Sequence, residues 1–376
     1  MKVYLDNAAS TRLRPEALNA MLAYMKNHFG NASSVHAYGR HMKAALELSR
    51  KNIAKHLNAK SNEIYFCSSG TEANNIALKL SVENLGIQRI ISSKVEHKCV
   101  LNTCNYLHQK LNVQLDFVKT SSLGEVDFED LEKLLSQDTK PTLVSLMHVQ
   151  NELGSINDLE KISSLCTKYQ ALFHTDTVQS IGHWNFDLSK SNISFLSASA
   201  HKFNGPQGIG FLYKRNDIGL GTWLHGGGHE RNLRSSTENI PGIVGMASAL
   251  DLAYTNLVTD KAHILELRAQ LKADLKELFP EISFNEAANC LYTILSVNFP
   301  SYISSDLLLF QLDLKGIAIS GGSACSSGAL KASSVLQELG FPENESTLRF
   351  SFSYETSMED IKYLKMALKD LKNMKM

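Results

Sequence analysis

The chain has 376 residues, of which 43% are hydrophobic and 20% are charged. This composition is typical of a folded globular protein, and the length predicts two domains. Lysine plus arginine number 38, as do aspartate plus glutamate, so no net charge favours binding to nucleic acid or to an anionic membrane. The N-terminus turns polar early, and no apolar run of about 18 residues follows, so we expect a cytoplasmic protein with no membrane partner.

Six cysteines stand at positions 67, 99, 104, 166, 290 and 325. They are too sparse for a disulfide framework, and no Cys-x-x-Cys pair indicates a zinc or redox-dithiol site. We therefore predict no metal site and expect most of these cysteines to be buried, reduced thiols.

Short apolar runs alternate with amphipathic stretches between residues 63 and 213. The predicted strands cover 64–66, 89–93, 113–118, 142–147 and 171–175, and the predicted helices cover 71–85, 98–111, 128–136 and 159–169. This alternation predicts an α/β fold with a mostly parallel sheet covered by helices on both faces.

The pattern changes near residue 245, where a long charged helix and separate strands follow. The helices are predicted at 260–278 and 358–374, and the strands at 290–298, 317–320 and 347–353. These elements indicate a smaller α+β domain. We predict a large domain over 15–245 and a small domain formed by 1–14 and 246–376.

Polar residues follow each of several strand-like runs. They are found at 69–72, 96–97, 151–152, 176 with 179, and 199–202. Because ligands of such sheets bind beyond the carboxyl ends of the strands, these residues are expected to meet at one edge. Each is individually compatible with ordinary turn chemistry.

Lys202 and Asp176 both directly follow apolar runs, and together they suggest a pyridoxal phosphate site. An aldehyde cofactor needs one amine to hold it as an imine, and its ring nitrogen needs a carboxylate to remain protonated. Taken singly, Lys202 would be a solvated lysine and Asp176 a helix N-cap. Gln179, three residues later, is placed to meet the phenolic oxygen of the ring.

The start of a helix at Gly70 and Thr71 offers backbone N–H groups and a helix dipole for a phosphate, although it also reads as a simple N-cap. Ser199 and His201 flank Lys202 with further donors. His97 has a flat ring suited to stacking on a planar cofactor, while its nitrogens handle a proton; a structural histidine is the alternative.

Cys325 lies in a Gly/Ser-rich segment, 320–328, unlike the apolar surroundings of a structural cysteine. An unperturbed thiol is only slightly ionised at neutral pH, so a neighbouring cation or proton acceptor would help to activate it. The segment indicates a nucleophile, with an exposed spectator cysteine as the alternative.

These segments, in this order, resemble the cysteine desulfurases of the NifS/IscS type, within the class V aminotransferase family of fold-type I pyridoxal phosphate enzymes. The resemblance runs nearly end to end. Besides the site segments, it includes residues 4–11, 29–36, 234–237, 322–327 and 348–351. It implies a large domain with a mostly parallel, seven-stranded type of sheet and a smaller α+β C-terminal domain.

The resemblance also implies roles for individual residues. Lys202, His97 and Cys325 would be catalytic, and Cys325 would accept sulfur from L-cysteine as a persulfide. The implied cofactor-binding residues are Gly70, Thr71, His97, Asp176, Gln179, Ser199, His201, Lys202 and Thr237, the last from the neighbouring subunit of a homodimer. Asn31, Asn151 and Arg349 would position the substrate, since a guanidinium binds a carboxylate through two donors.

Several alternatives stay open from the sequence. The chain would otherwise be a selenocysteine lyase, another class V enzyme, or a non-catalytic sulfur-relay or scaffold protein. The persulfide acceptor is a protein of iron–sulfur cluster assembly or of another thiolation pathway. Residues 350–356 depart from the family pattern, which bears on acceptor contacts more than on the cofactor.

Overall fold

The computed structural model describes residues 1–321, 333–342 and 346–373. Within these residues the helices are α1 Pro15–Lys26, α2 Ala37–His56, α3 Gly70–Leu85, α4 Lys98–Leu111, α5 Phe128–Ser136, α6 Leu159–Lys168, α7 Ile240–Thr255, α8 Leu257–Leu278, α9 Ser305–Leu314, α10 Ser334–Glu338 and α11 Met358–Asn373. The strands are β1 Val3–Tyr4, β2 Ile64–Cys67, β3 Arg89–Ser92, β4 Gln114–Phe117, β5 Thr142–Ser145, β6 Leu172–Asp176, β7 Phe195–Ser199, β8 Gly210–Lys214, β9 Ser283–Phe284, β10 Ile294–Phe299, β11 Ile317–Ala318 and β12 Ser346–Ser351.

The central sheet has seven strands among the described residues, in the order β2-β8-β7-β6-β5-β3-β4. Strands β3 to β7 pair in parallel, whereas β8 runs antiparallel to both β7 and β2. The predicted α/β fold with a mostly parallel seven-stranded sheet is therefore confirmed. The strand order reverses between β3 and β5, which is where ligands bind in such sheets.

Burial explains why these segments form interior strands. Every residue of β2, β3, β5, β7 and β8 is buried, as expected for a sheet covered on both faces. Helices α1, α2 and α7 pack together. Helix α3 packs against α4 and against strands β7 and β8.

Two smaller sheets lie at the other end of the chain. Strand β1 pairs in parallel with β11, and β10 pairs antiparallel with both β12 and β9. Side chains of this second sheet share a hydrophobic core with α8 and α11. One hydrophobic core joins residues 3–8 with residues 257–371 and contains Leu5, Leu271 and Phe350. Helix α7 runs through the predicted boundary at residue 245 and packs against α1 and α2, so that boundary stays a prediction.

The N-terminal segment, residues 5–11, joins the sheets. Leu5 N–H donates to Ala318 O at 2.8 Å, and Thr11 N–H donates to His201 O at 2.8 Å. Asn7 Nδ2 donates to Ser351 O at 2.9 Å. These bonds hold the segment across the carboxyl edge of the central sheet. Among the described residues, no helix combines the length and apolar character needed to cross a lipid bilayer.

Candidate active site

A cavity of about 310 Å³ opens at the carboxyl edge of the central sheet, beneath the N-terminal segment. Strands β2, β3, β5, β6 and β7 end there, which brings the predicted strand-end residues together. The predicted residues that line it are Gly70, Thr71, His97, Asn151, Asp176, Gln179, Ser199, His201, Lys202 and Arg349.

Lys202 ends a short 3-10 turn, Ala200–Lys202, directly after β7. Its Nζ donates to Ala8 O at 2.6 Å and to Ala9 O at 2.9 Å, so the amine lies against the N-terminal segment. Gln179 Nε2 donates to the same Ala8 oxygen at 2.9 Å. The amine and the amide therefore face one wall of the cavity.

Asp176 is the last residue of β6 and is buried. Asn74 Nδ2 donates to its Oδ2 at 2.7 Å, and the Val178 N–H donates to its Oδ1 at 3.0 Å. Turns rather than a helix follow Asp176, so it is not the N-cap that the alternative interpretation required. Within the residues that the structure describes, it pairs with no lysine or arginine, and its charge is available to a cationic ligand.

Helix α3 begins at the same edge. Ser69 is its N-cap and accepts from the Glu72 N–H at 3.3 Å. A Cβ on Gly70 would lie 2.4 Å from Val178 Cγ2, so only glycine fits at this helix start. Thr71, Ser199 and His201 add polar side chains to the same cavity, a combination that suits a phosphate group.

His201 lies between the N-terminal segment and Lys202. Its Nδ1 is 3.2 Å from Ser10 Oγ. Burial and the neighbouring Lys202 lower the pKa of His201 to about 4, so its imidazole is neutral at physiological pH.

His97 is the N-cap of α4, so it has a structural role, as the alternative interpretation of this residue expected. Its Nδ1 accepts from the Cys99 N–H at 3.2 Å and lies 3.0 Å from Cys99 Sγ. An Nδ1 that accepts from a backbone N–H is unprotonated, which leaves the proton of a neutral ring on Nε2. The capping role does not exclude the cavity role, because the side chain also lines the cavity.

Arg349 lies on β12 and is almost fully buried. Its Nη1 donates to Asn151 O at 2.7 Å, and its Nη2 pairs with Asp6 Oδ1 at 2.9 Å. Its Nε has no hydrogen-bond partner among the described residues. Sequence reasoning identified Arg349 but missed Asp6, which is 343 positions away.

Two buried acids also line the cavity, and sequence reasoning noticed both at strand ends without giving them a role. Burial raises the pKa of Glu96 to about 8, and its Oε1 accepts from the Met147 N–H at 2.7 Å. Burial also raises the pKa of Glu152, whose Oε2 accepts from Ser333 Oγ at 2.6 Å. Glu96 is therefore largely protonated at neutral pH.

Three predicted residues are not in this cavity. Asn31 is exposed, and its Oδ1 accepts from the Ser33 N–H at 2.8 Å. Thr237 lines a second cavity of about 190 Å³, which also contains Ser68 and Arg234. Cys325 lies outside the described residues.

The residues present fit pyridoxal 5′-phosphate. One cavity is lined by a buried carboxylate that would suit a ring nitrogen, a lysine amine that would suit an aldehyde, and a helix start whose N–H groups would suit a phosphate. Among the described residues, no group of three or more histidine, cysteine or acidic side chains is arranged to hold a metal ion.

Comparison with known proteins identifies the family of this chain. The family model for class-V aminotransferases matches residues 3–364, and the chain belongs to that family. Its enzymes depend on pyridoxal phosphate, so the predicted cofactor is confirmed.

Within the family, the chain is similar to cysteine desulfurases. It is 39% identical to cysteine desulfurase IscS of Dictyoglomus turgidum over 368 residues, which cover 96% of this chain and 92% of the relative. A solved NifS-like protein superposes with a TM-score of 0.92 at 33% identity over 100% of both chains. A structure of SspA in complex with cysteine gives a TM-score of 0.82 at 31% identity, covering 95% of this chain and 100% of SspA. The predicted NifS/IscS resemblance is thus confirmed.

Proposed function

We propose that this chain is a pyridoxal phosphate-dependent cysteine desulfurase that converts L-cysteine to L-alanine and takes the sulfur onto Cys325 as a persulfide. One observation carries the proposal: a single cavity joins the Lys202 amine, the buried Asp176 carboxylate and the Arg349 guanidinium. The similarity to cysteine desulfurases supports the choice of substrate.

The sheet-edge residues hold the cofactor. Pyridoxal phosphate, when bound, holds the substrate amine covalently and withdraws electrons from its Cα. Lys202 Nζ would hold the cofactor aldehyde and would accept the proton from the substrate Cα. Asp176 would pair with the ring nitrogen, Gln179 would meet the phenolic oxygen, and His97 would stack on the ring. Proton transfer by Lys202 and by His97 each contributes about 10²–10⁴ to the rate.

The start of α3 would hold the phosphate, with N–H and hydroxyl donors from Gly70 and Thr71. Ser199 and His201, which line the same cavity, would add further donors. The neutral state of His201 is compatible with this role, because the ring still has one N–H to donate.

Arg349 and Asn151, with Asn31, orient the substrate carboxylate. The Cys325 thiolate then attacks the substrate sulfur. The carbon–sulfur bond breaks, its electron pair remains with the substrate carbon, and protonation gives alanine. The sulfur stays on Cys325 as a persulfide, which passes to an acceptor protein. Iron–sulfur cluster assembly is the first destination to examine.

A homodimer explains the residues that lie outside the cavity. Thr237 lines a separate cavity and Asn31 is exposed, as expected if each completes the site of a neighbouring subunit. Beside Asn31, the large apolar side chains of Phe29, Val35 and Tyr38 are 69%, 88% and 57% exposed. We propose that this surface is buried against a second copy in a cytoplasmic homodimer.

The test supplies purified protein with pyridoxal phosphate, L-cysteine and a reductant, and measures alanine and sulfide. We expect wild type to release both, and Lys202→Ala and Cys325→Ser to release neither. Cys290→Ser is the matched control, because Cys290 bonds to Ala287 away from the cavity and should keep wild-type turnover.

The variants separate the alternatives. Full turnover by Cys325→Ser would indicate another class V reaction that needs no thiol. Wild type that binds the cofactor but releases no alanine would instead support a non-catalytic sulfur-relay protein. Rapid turnover of selenocysteine with no turnover of cysteine would indicate a selenocysteine lyase.

A further inference from the structure

Asn74 lies at the centre of a hydrogen-bond network behind the cavity. It is fully buried on α3, one turn after the helix start. Its Nδ2 donates to Asp176 Oδ2 at 2.7 Å and lies 3.2 Å from Cys99 Sγ, and its Oδ1 lies 3.0 Å from His174 Nε2. Both ends of this amide are therefore engaged.

The Asp176 carboxylate determines which way the Asn74 amide points. The reverse orientation would place an oxygen against the carboxylate, which is repulsive, so Nδ2 faces Asp176 and Oδ1 faces His174 Nε2. Burial lowers the pKa of His174 to about 4, so the ring is neutral at physiological pH. A neutral ring that donates from Nε2 to Asn74 Oδ1 has an unprotonated Nδ1, which can accept from the Ser145 hydroxyl 2.8 Å away.

Cys99 extends the network to His97. Its Sγ lies between Asn74 Nδ2 and His97 Nδ1, at 3.2 Å and 3.0 Å. The sulfur accepts from the amide and contacts His97 Nδ1, which itself accepts from the Cys99 N–H. Asp176 on β6 and His97 at the start of α4 are thus joined through one residue on α3.

We propose that Asn74, bonded on its other side to His174 and through it to Ser145, is a positioning residue for the cofactor site that holds Asp176 and His97 in a single fixed arrangement. The proposal rests on the cofactor binding described above. Asp176 and His97 come from different elements, and each has to meet a different part of one rigid ring. A shared buried donor sets their relative position before the cofactor arrives, which lowers the cost of binding.

The test measures the cofactor affinity of Asn74→Ala by titrating pyridoxal phosphate into apo-protein and following the visible absorption. We expect the dissociation constant to rise at least tenfold, because Asp176 loses a charge-assisted hydrogen bond. The pH at which the bound cofactor changes its absorption should also shift, since the partner of the ring nitrogen is no longer held in place. Alanine favours helices, so α3 should persist.

Asn84→Ala is the matched control. Asn84 lies on the same helix and accepts from the Gly221 N–H at 2.7 Å, away from the cavity. This variant should keep both the wild-type affinity and the wild-type absorption profile. A purely structural role for Asn74 predicts a lower unfolding temperature of the apo-protein with unchanged affinity and absorption, and that result would overturn the proposal.

Ser145→Ala gives a second, milder test that removes only the hydroxyl which orients His174. It should raise the dissociation constant in the same direction as Asn74→Ala but by less, about two- to fivefold. Unchanged affinity in both variants would refute the network. Wild type that fails to bind pyridoxal phosphate would refute the cofactor assignment instead, so the two failures are distinguishable.

Discussion

Asp176 and Arg349 are both buried charged residues of one cavity, but they are held in opposite ways. Asp176 receives hydrogen bonds from two neutral donors, and among the described residues it forms no ion pair. Arg349 is already paired with the Asp6 carboxylate and with the Asn151 carbonyl. We call the Asp176 side of the cavity, at the end of β6, the floor, and the Arg349 side, on β12, the wall. The charge of Asp176 on the floor is left for a ligand, whereas the charge of Arg349 on the wall is neutralised within the protein.

The difference indicates how each residue meets its ligand. A permanently bound cofactor can provide the standing counter-charge of Asp176. If Arg349 binds the substrate carboxylate as proposed, the substrate shares Arg349 with Asp6 at every turnover, and Asp6 is expected to limit how tightly the carboxylate binds. The cost of burying an unpaired guanidinium between turnovers is thereby avoided.

The largest effect is expected at the floor. Asp176→Asn keeps the shape of the side chain but removes its charge, so the ring nitrogen loses its counter-ion. We expect kcat for alanine formation to fall by about 10²–10³. Asp251→Asn, an exposed aspartate beside His56, is the control and should change kcat less than twofold. An Asp176→Asn enzyme with more than a tenth of wild-type kcat would contradict this assignment.

A smaller effect is expected at the wall. Arg349→Lys replaces the planar, two-pronged donor by a point charge, so we expect KM for L-cysteine to rise about tenfold with a smaller change in kcat. Steady-state kinetics of alanine release measure both. Arg215→Lys, at a partly buried arginine paired with Asp217 away from the cavity, serves as the control.

Asp6→Asn tests the Arg349–Asp6 ion pair by changing the carboxylate instead of the guanidinium. Removing the competing carboxylate should lower KM for L-cysteine about threefold, because the substrate then meets an unneutralised guanidinium. If KM instead rises as much as in Arg349→Lys, Asp6 acts by orienting the arginine, and the comparison with Asp176 fails.

The smallest effect concerns stability. Because burial raises the pKa of Glu96 from 4.5 to about 8, the native state keeps a proton that the unfolded chain releases. The free energy of unfolding should therefore fall as pH rises from about 4.5 to about 8. Glu96→Gln lacks this ionisable group. The free energy of unfolding of Glu96→Gln minus that of wild type should therefore be about 2–4 kcal/mol larger at pH 8 than at pH 5.

Urea unfolding of the two apo-proteins at several pH values measures this difference. A difference between them that is constant across this range would show that Glu96 is ionised. The comparison of Asp176 with Arg349 would then need revision, because Glu96 would add a second negative charge to the cavity beside Asp176.

The convergence of strand ends was predictable from the sequence. The parallel order of β3, β5 and β6 follows from alternating strands and helices, and it brings His97, Asn151 and Asp176 to one edge. In the described residues 177–194 no helix separates β6 from β7, so the parallel pairing that adds Lys202 to this edge does not follow from that alternation. The residues alone suggested cofactor roles for Lys202 and Asp176, whereas the substrate role of Asn151 required the family resemblance.

Other features depend on tertiary contacts that no local pattern contains. Asp6 and Arg349 are paired through the β1 and β12 regions, which are far apart in the sequence. Asn74 falls within the helix predicted at 71–85, but its contact with Asp176 depends on how α3 packs against β6. The predicted domain boundary at residue 245 falls inside helix α7. This helix packs on α1 and α2, and the chain continues directly into α8.

The position of the N-terminal segment has a consequence for biosynthesis. Ala8 and Ala9 are synthesised before the central sheet, yet they contact Lys202, and the Leu5 carbonyl accepts from the Ser351 N–H at 2.7 Å. At about 5–20 residues per second, β12 is completed tens of seconds after this segment emerges. The central sheet can therefore form before β12 exists, whereas the N-terminal segment is bonded to β12 only once β12 has emerged. Cofactor capture is thus expected to follow the synthesis of β12.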